Sequence, residues 1–86
     1  MSENLEKKRK QLIFRSWHRG TREMDLILGS FADKHVPKMT EDDLTEFEAL
    51  LEISDPELYN WYLQKEHVPK DLKSPLTEAY LKHQVA

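Results

Sequence analysis

The chain has no cysteine among its 86 residues. That excludes disulfides, thiolate metal sites and a cysteine nucleophile. It has only two glycines, Gly20 and Gly29, so it has no glycine-rich loop to cradle a phosphate or a dinucleotide. No apolar run exceeds three residues, as in Leu26-Ile27-Leu28, far below the length that spans a bilayer. β-Branched residues never occur side by side, which argues against strands and for helices. Met1-Ser2-Glu3-Asn4 is followed by no apolar stretch, so the start does not read as a secretory leader or a transit peptide. A soluble protein of the bacterial cytoplasm is the expectation. The alternative is a trimmed eukaryotic chain in an organelle.

The net charge is small, −3, but its distribution is not even. In residues 1–22, Lys7, Lys8, Arg9, Lys10, Arg15, Arg19 and Arg22 stand against Glu3 and Glu6, a net of +5. Residues 41–57 hold eight carboxylates and no Lys or Arg, a net of −8. A basic pole and an acidic pole suit a small domain that orients against a partner. Eighty-six residues make one domain with a modest core.

The apolar residues recur at helical spacing and predict an all-α bundle of about five short helices over roughly 4–83, with frayed ends. A first helix is expected over 4–18, its apolar side made by Leu5, Leu12, Ile13 and Trp17 and flanked by Phe14. Gly20 suits a left-handed stop after it. A second helix over 21–34 carries Met24, Ile27, Leu28 and Phe31 at i, i+3, i+4 and i+7. Gly29 inside it points to a close helix crossing. Thr40 starts a third helix and loads its first turn with acid. In Ser54-Asp55-Pro56, Asp55 is expected to cap a fourth helix that Pro69 stops. Ser74-Pro75 starts a fifth, and the tail after Gln84 is expected to fray. His35-Val36-Pro37-Lys38 recurs as His67-Val68-Pro69-Lys70, which reads as two similar joints and not as a repeat array.

Catalytic grammar is absent. The four histidines are scattered and no H-E-x-x-H occurs. No G-x-S-x-G is present. Arg19-Gly20-Thr21-Arg22-Glu23 has two readings. It can be a plain helix–turn–helix joint with solvated arginines. It can also be a docking patch in which Arg15 and Arg19, four residues apart, share a face beside Glu23 and a bare backbone. Trp61 is a core residue or, if exposed, an interface anchor. Lys7-Lys8-Arg9-Lys10 leaves open a nucleic-acid-binding helical module as the rival function. A third reading is an enzyme built on His18 and Glu23.

The block from Arg15 to Asp25 resembles the R-G-x-x-E signature of the SdhE-type succinate dehydrogenase assembly factors. Asp55-Pro56-Glu57-Leu58-Tyr59-Asn60-Trp61 is similar to a D-P-E-L-x-N-W stretch of the same family. The resemblance implies a small five-helix bundle that binds the flavoprotein subunit of succinate dehydrogenase, in some members that of fumarate reductase. It implies promotion of covalent FAD attachment to a histidine of that subunit. The chain is then no enzyme and holds no cofactor stably; it acts on the FAD of its partner. Arg19, Gly20 and Glu23 become the key surface residues, with Arg15, His18, Asp25 and Trp61 as further partner-binding candidates. His18 departs from the several relatives that carry a second arginine there. A monomer with no nucleic-acid or membrane partner is expected, in the bacterial cytoplasm or, for a trimmed eukaryotic chain, the mitochondrial matrix.

Overall fold

Helix α1 (Ser2–Trp17) and helix α2 (Arg22–His35) pack against each other through a glycine. A Cβ placed on Gly29 would fall inside the Trp17 indole ring, so this position is kept bare for the ring that covers it. The indole Nε1–H donates to Asp33 Oδ1 at 3.2 Å. Where a close helix crossing was expected at Gly29, the close approach is that of an aromatic side chain at the end of α1. In this computed structural model, which describes residues 2–85, helices α3 (Glu41–Leu51), α4 (Asp55–Tyr62) and α5 (Pro75–Lys82) complete the bundle. Short 3-10 turns lie at Val36–Lys38 and Lys70–Leu72. Among the described residues there are five α-helices and no strand. The radius of gyration is 12.3 Å, close to the ~12 Å expected of a compact domain of this length.

The core forms where the predicted stripes meet. Leu12, Met24, Leu28, Phe31, Leu44, Phe47, Leu58, Trp61 and Tyr80 are all buried. Each large side chain withdrawn from water contributes roughly 1.5–3 kcal/mol. Two polar groups in the core have main-chain partners. Ser16 is fully buried and its hydroxyl donates to Leu12 O at 2.7 Å. The Tyr80 hydroxyl donates to Leu58 O at 2.9 Å, tying α5 to α4.

The helix starts follow the sequence closely. Thr40 caps α3 in a reciprocal box with Asp43, and Ser74 caps α5 in one with Thr77. The stops depart from expectation. No glycine has positive φ, so Gly20 is not a left-handed stop. Asp55 is not a cap: Ser54 holds that position and Asp55 is the first helical residue. Helix α4 ends at Tyr62, well before Pro69. Its stop is Gln64 at φ 61°. The Gln64 and Lys65 N–H groups donate back to Trp61 O and Asn60 O at 3.0 and 2.8 Å, the pattern of a Schellman ending on a non-glycine residue. The two His-Val-Pro-Lys segments bury their valines, but the first forms a 3-10 turn from its valine and the second only begins one at its lysine. Of the tail expected to fray, Gln84 and Val85 are exposed, and Ala86 lies outside the described residues.

The C-terminal segment is anchored just before that tail. The Tyr62 hydroxyl donates to His83 O at 2.7 Å, and His83 Nε2 shares a 2.8 Å hydrogen bond with the Ser30 hydroxyl. The His83 and His35 rings lie 6.3 Å apart. Burial first, then neighbouring positive groups, holds both imidazoles below their ordinary value of 6.5.

Gly29→Ala should lower the thermal midpoint by roughly 5–15 °C, because the indole must move; circular dichroism melts read it. The depressed histidines mean the unfolded chain takes up protons before the folded one does. Stability is therefore full above about pH 6.5 and declines as pH falls below it. His83→Gln should flatten the decline in thermal midpoint between about pH 6.5 and 5.5. An equally steep decline in that variant would remove His83 as its source.

Candidate functional site

The joint between α1 and α2 is a corner whose backbone is held by carboxylates from two helices. Thr21 caps α2, its hydroxyl accepting from Met24 N–H at 3.3 Å, which sets Glu23 in the exposed first turn. Asp25, on the same helix, turns back and accepts the Arg19 N–H at 2.5 Å. Asp55 reaches over from α4 and accepts the Gly20 N–H with Oδ2 at 2.9 Å.

Arg19 fixes the corner from the other side. Its Nε–H donates to Asp55 Oδ1 at 2.8 Å. Its two terminal nitrogens donate to Leu51 O at 2.7 Å and Ile53 O at 2.9 Å. Those carbonyls belong to the end of α3 and the turn after it, where carbonyls have no helical partner and a cation is favoured. One planar guanidinium thus joins the α1–α2 corner to the α3–α4 joint. Its side chain is 12% exposed, and that of Asp55 15%.

Two grooves flank Asp55. The larger, about 560 Å³, is lined by Phe14, Arg15, His18, Arg19, Gly20 and the Leu51–Asp55 segment. The smaller, about 290 Å³, is lined by Thr21, Glu23, Met24, Asp55, Pro56, Tyr59 and Asn60. Phe14 is 63% exposed in the larger groove. The His18 ring stacks on it at 3.9 Å, and His18 Nδ1–H donates to Phe14 O at 2.7 Å. That bond leaves Nε2 directed away from the carbonyl. Arg15 donates to Glu52 Oε2 at 2.6 Å.

The predicted site residues therefore separate. Arg15, His18, Arg19 and Gly20 share the larger groove and Glu23 lines the other. Arg19 lies beyond the end of α1, so the groove, not a shared helix face, brings it near Arg15. Trp61 is corrected to a core residue: it is 3% exposed and offers no ring to a partner. Asp25 acts inward, on the Arg19 N–H. The His18 and Glu23 side chains line different grooves, which removes the geometry an enzyme built on them needs. Among the described residues, no group of three or more His, Asp or Glu can hold a metal ion. Phe14, Glu52 and Asp55 were not singled out from sequence as site residues. A signal existed for Phe14, since it stands one helical turn before His18.

The basic cluster is partly neutralised. Lys8 Nζ lies 3.2 Å from Glu48 of α3, and Arg9 donates to Met39 O at 2.8 Å and to Glu6 at 3.1 Å. The basic and acidic poles of the sequence are thus neighbours, not opposite ends, and a phosphate backbone along α1 would meet α3 carboxylates.

Comparison with known proteins agrees with the signature. The profile of one family, described as "Flavinator of succinate dehydrogenase", matches residues 10–84. The chain is 39% identical over 79 residues to a mitochondrial succinate dehydrogenase assembly factor 2 of Dictyostelium discoideum, covering 92% of this chain and 56% of that protein. It is 38% identical over 74 residues to the FAD assembly factor SdhE of Acetobacter pasteurianus, covering 86% and 68%. It is 41% identical over 81 residues to a mitochondrial assembly factor 2 of Candida glabrata, covering 93% and 49%. The chain thus spans about half the length of the two mitochondrial relatives. None of these names supports a nucleic-acid-binding role.

Arg19→Lys should destabilise the fold by about 1–3 kcal/mol in urea titrations, because an ammonium cannot reach three acceptors in one plane. An unchanged midpoint would refute the bracing role of the guanidinium.

Proposed function

Because the chain belongs to the family of succinate dehydrogenase flavinators, we propose that it binds the flavoprotein subunit of succinate dehydrogenase and promotes covalent attachment of FAD to it. The fumarate reductase subunit is the related substrate to test beside it. The chain is an assembly factor and not the catalyst: the flavin and its host protein supply the bond-forming chemistry. Its contribution is to hold the host in the conformation that aligns the acceptor side chain with the cofactor. No G-x-G-x-x-G occurs in the chain, which favours FAD staying with the partner. The factor works as a monomer, in whichever compartment its flavoprotein matures.

The observation that carries this reading is the braced corner with Glu23 left exposed beside it. Glu23 is exposed and makes no hydrogen bond or ion pair among the described residues, so a partner can use its carboxylate fully. Phe14 and His18 supply an aromatic contact on the other side of Asp55, the kind of residue that anchors interfaces. Arg15 and Arg19 already pair with Glu52 and Asp55. Arg19 therefore shapes the surface, while Glu23, Phe14 and His18 meet the partner.

Glu23→Ala should leave unfolding stability within about 0.5 kcal/mol yet reduce flavin attachment about tenfold at limiting factor. Flavin fluorescence of the denatured subunit in a gel reads the attachment. Unchanged fluorescence in this variant would defeat the assignment.

A further inference from the structure

We infer that Asp55, outside the R-G-x-x-E block, is the positioning residue of the corner and the reason position 20 is glycine; the inference rests on the docking role proposed above. Conformational freedom does not explain this glycine, since no glycine in the chain has positive φ. Space does. A Cβ on Gly20 would stand 3.3 Å from Asp55 Oδ2, the same oxygen that accepts the Gly20 N–H at 2.9 Å. That oxygen cannot retreat freely. The carboxylate is rigid, and its other oxygen is held by Arg19 Nε at 2.8 Å, while the rest of the guanidinium is fixed on Leu51 O and Ile53 O.

Asp55 is also placed unusually for its own helix. It opens α4, yet its carboxylate reaches across to another segment, and Ser54 at the cap makes no side-chain bond. As the first helical residue and not the cap, Asp55 has no capping bond to make. Here Pro56 follows and lacks an N–H, which leaves the carboxylate available for the corner. Because Asp55 lines both grooves, a shift of its side chain moves the wall that the Phe14–His18 pair and Glu23 share. The rival account is that Gly20 is bare so that the partner's backbone can approach it. The two accounts differ in whether the demand for glycine depends on Asp55.

Two measurements decide between them. In the free full-length chain, Asp55→Ala removes both acceptors and should raise hydrogen exchange at the Gly20 amide about tenfold with helical circular dichroism retained. A Gly20 amide as protected as in the parent chain would overturn the inference. The second is a double-mutant cycle on affinity for the flavoprotein subunit, with Asp55→Ser as the smaller background. Gly20→Ala should weaken binding about tenfold with Asp55 present and less than about twofold with Asp55→Ser. An equal loss in both backgrounds would show that the glycine serves the partner's approach and overturn the inference. If the parent chain does not bind the flavoprotein, the docking role fails, and the exchange measurement still decides what Asp55 does.

Discussion

The Arg19 guanidinium, held at once by the Asp55 carboxylate and by two carbonyls where α3 ends, is the contact on which the corner's geometry depends. The contact joins the α1–α2 joint to the α3–α4 joint. A planar fork with three acceptors has few alternative arrangements, so it sets the register between the two joints. Both partners are largely shielded from water, where screening is weak and geometry matters more than at the surface. The exposed pairs of Arg15 with Glu52 and Lys82 with Glu78 are of the kind that contribute little to stability.

This brace changes what the arginine signature means. Read along the chain, Arg15, Arg19 and Arg22 suggest a positive surface that seeks acid on a partner. In the folded molecule the acid is internal: Glu48 and Glu52 beside Arg15, Asp55 beside Arg19. What remains outward is the exposed Arg22, a carboxylate without an internal bond at Glu23, a stacked Phe14–His18 pair and a corner of main chain. The docking surface proposed above is built on this braced corner. Asp25, Asp55 and Thr21 already hold its main chain, so docking there would order less backbone than docking through a mobile basic arm.

Much of the fold was legible in the residues. Three of the five helix starts carry local chemistry that acts within a few residues: Thr21, Thr40 and Ser74 cap the N–H groups just beyond them. The stripe of Met24, Ile27, Leu28 and Phe31 specifies a buried face by periodicity alone. Helix ends were harder. Gln64 accepted the left-handed position that glycine usually fills, because the bonds from the Gln64 and Lys65 N–H groups close the last turn of α4. Trp61 was ambiguous because aromatic residues at helical spacing serve cores and interfaces alike; burial settled it.

Local spacing determined that this chain is helical, where most helices begin, that Gly29 marks a close approach, and that the block around Gly20 is a corner. Those properties depend on neighbours in the chain, and short-range sterics and hydrogen bonding express them directly. Which arginine faces outward, which carboxylate holds Gly20, and that Phe14 stays in solvent were decided only by tertiary structure. Asp55 and Glu52 lie more than thirty residues from the corner they complete, and no periodicity links them to it. Their roles exist only once the core has brought the α3–α4 joint against the corner.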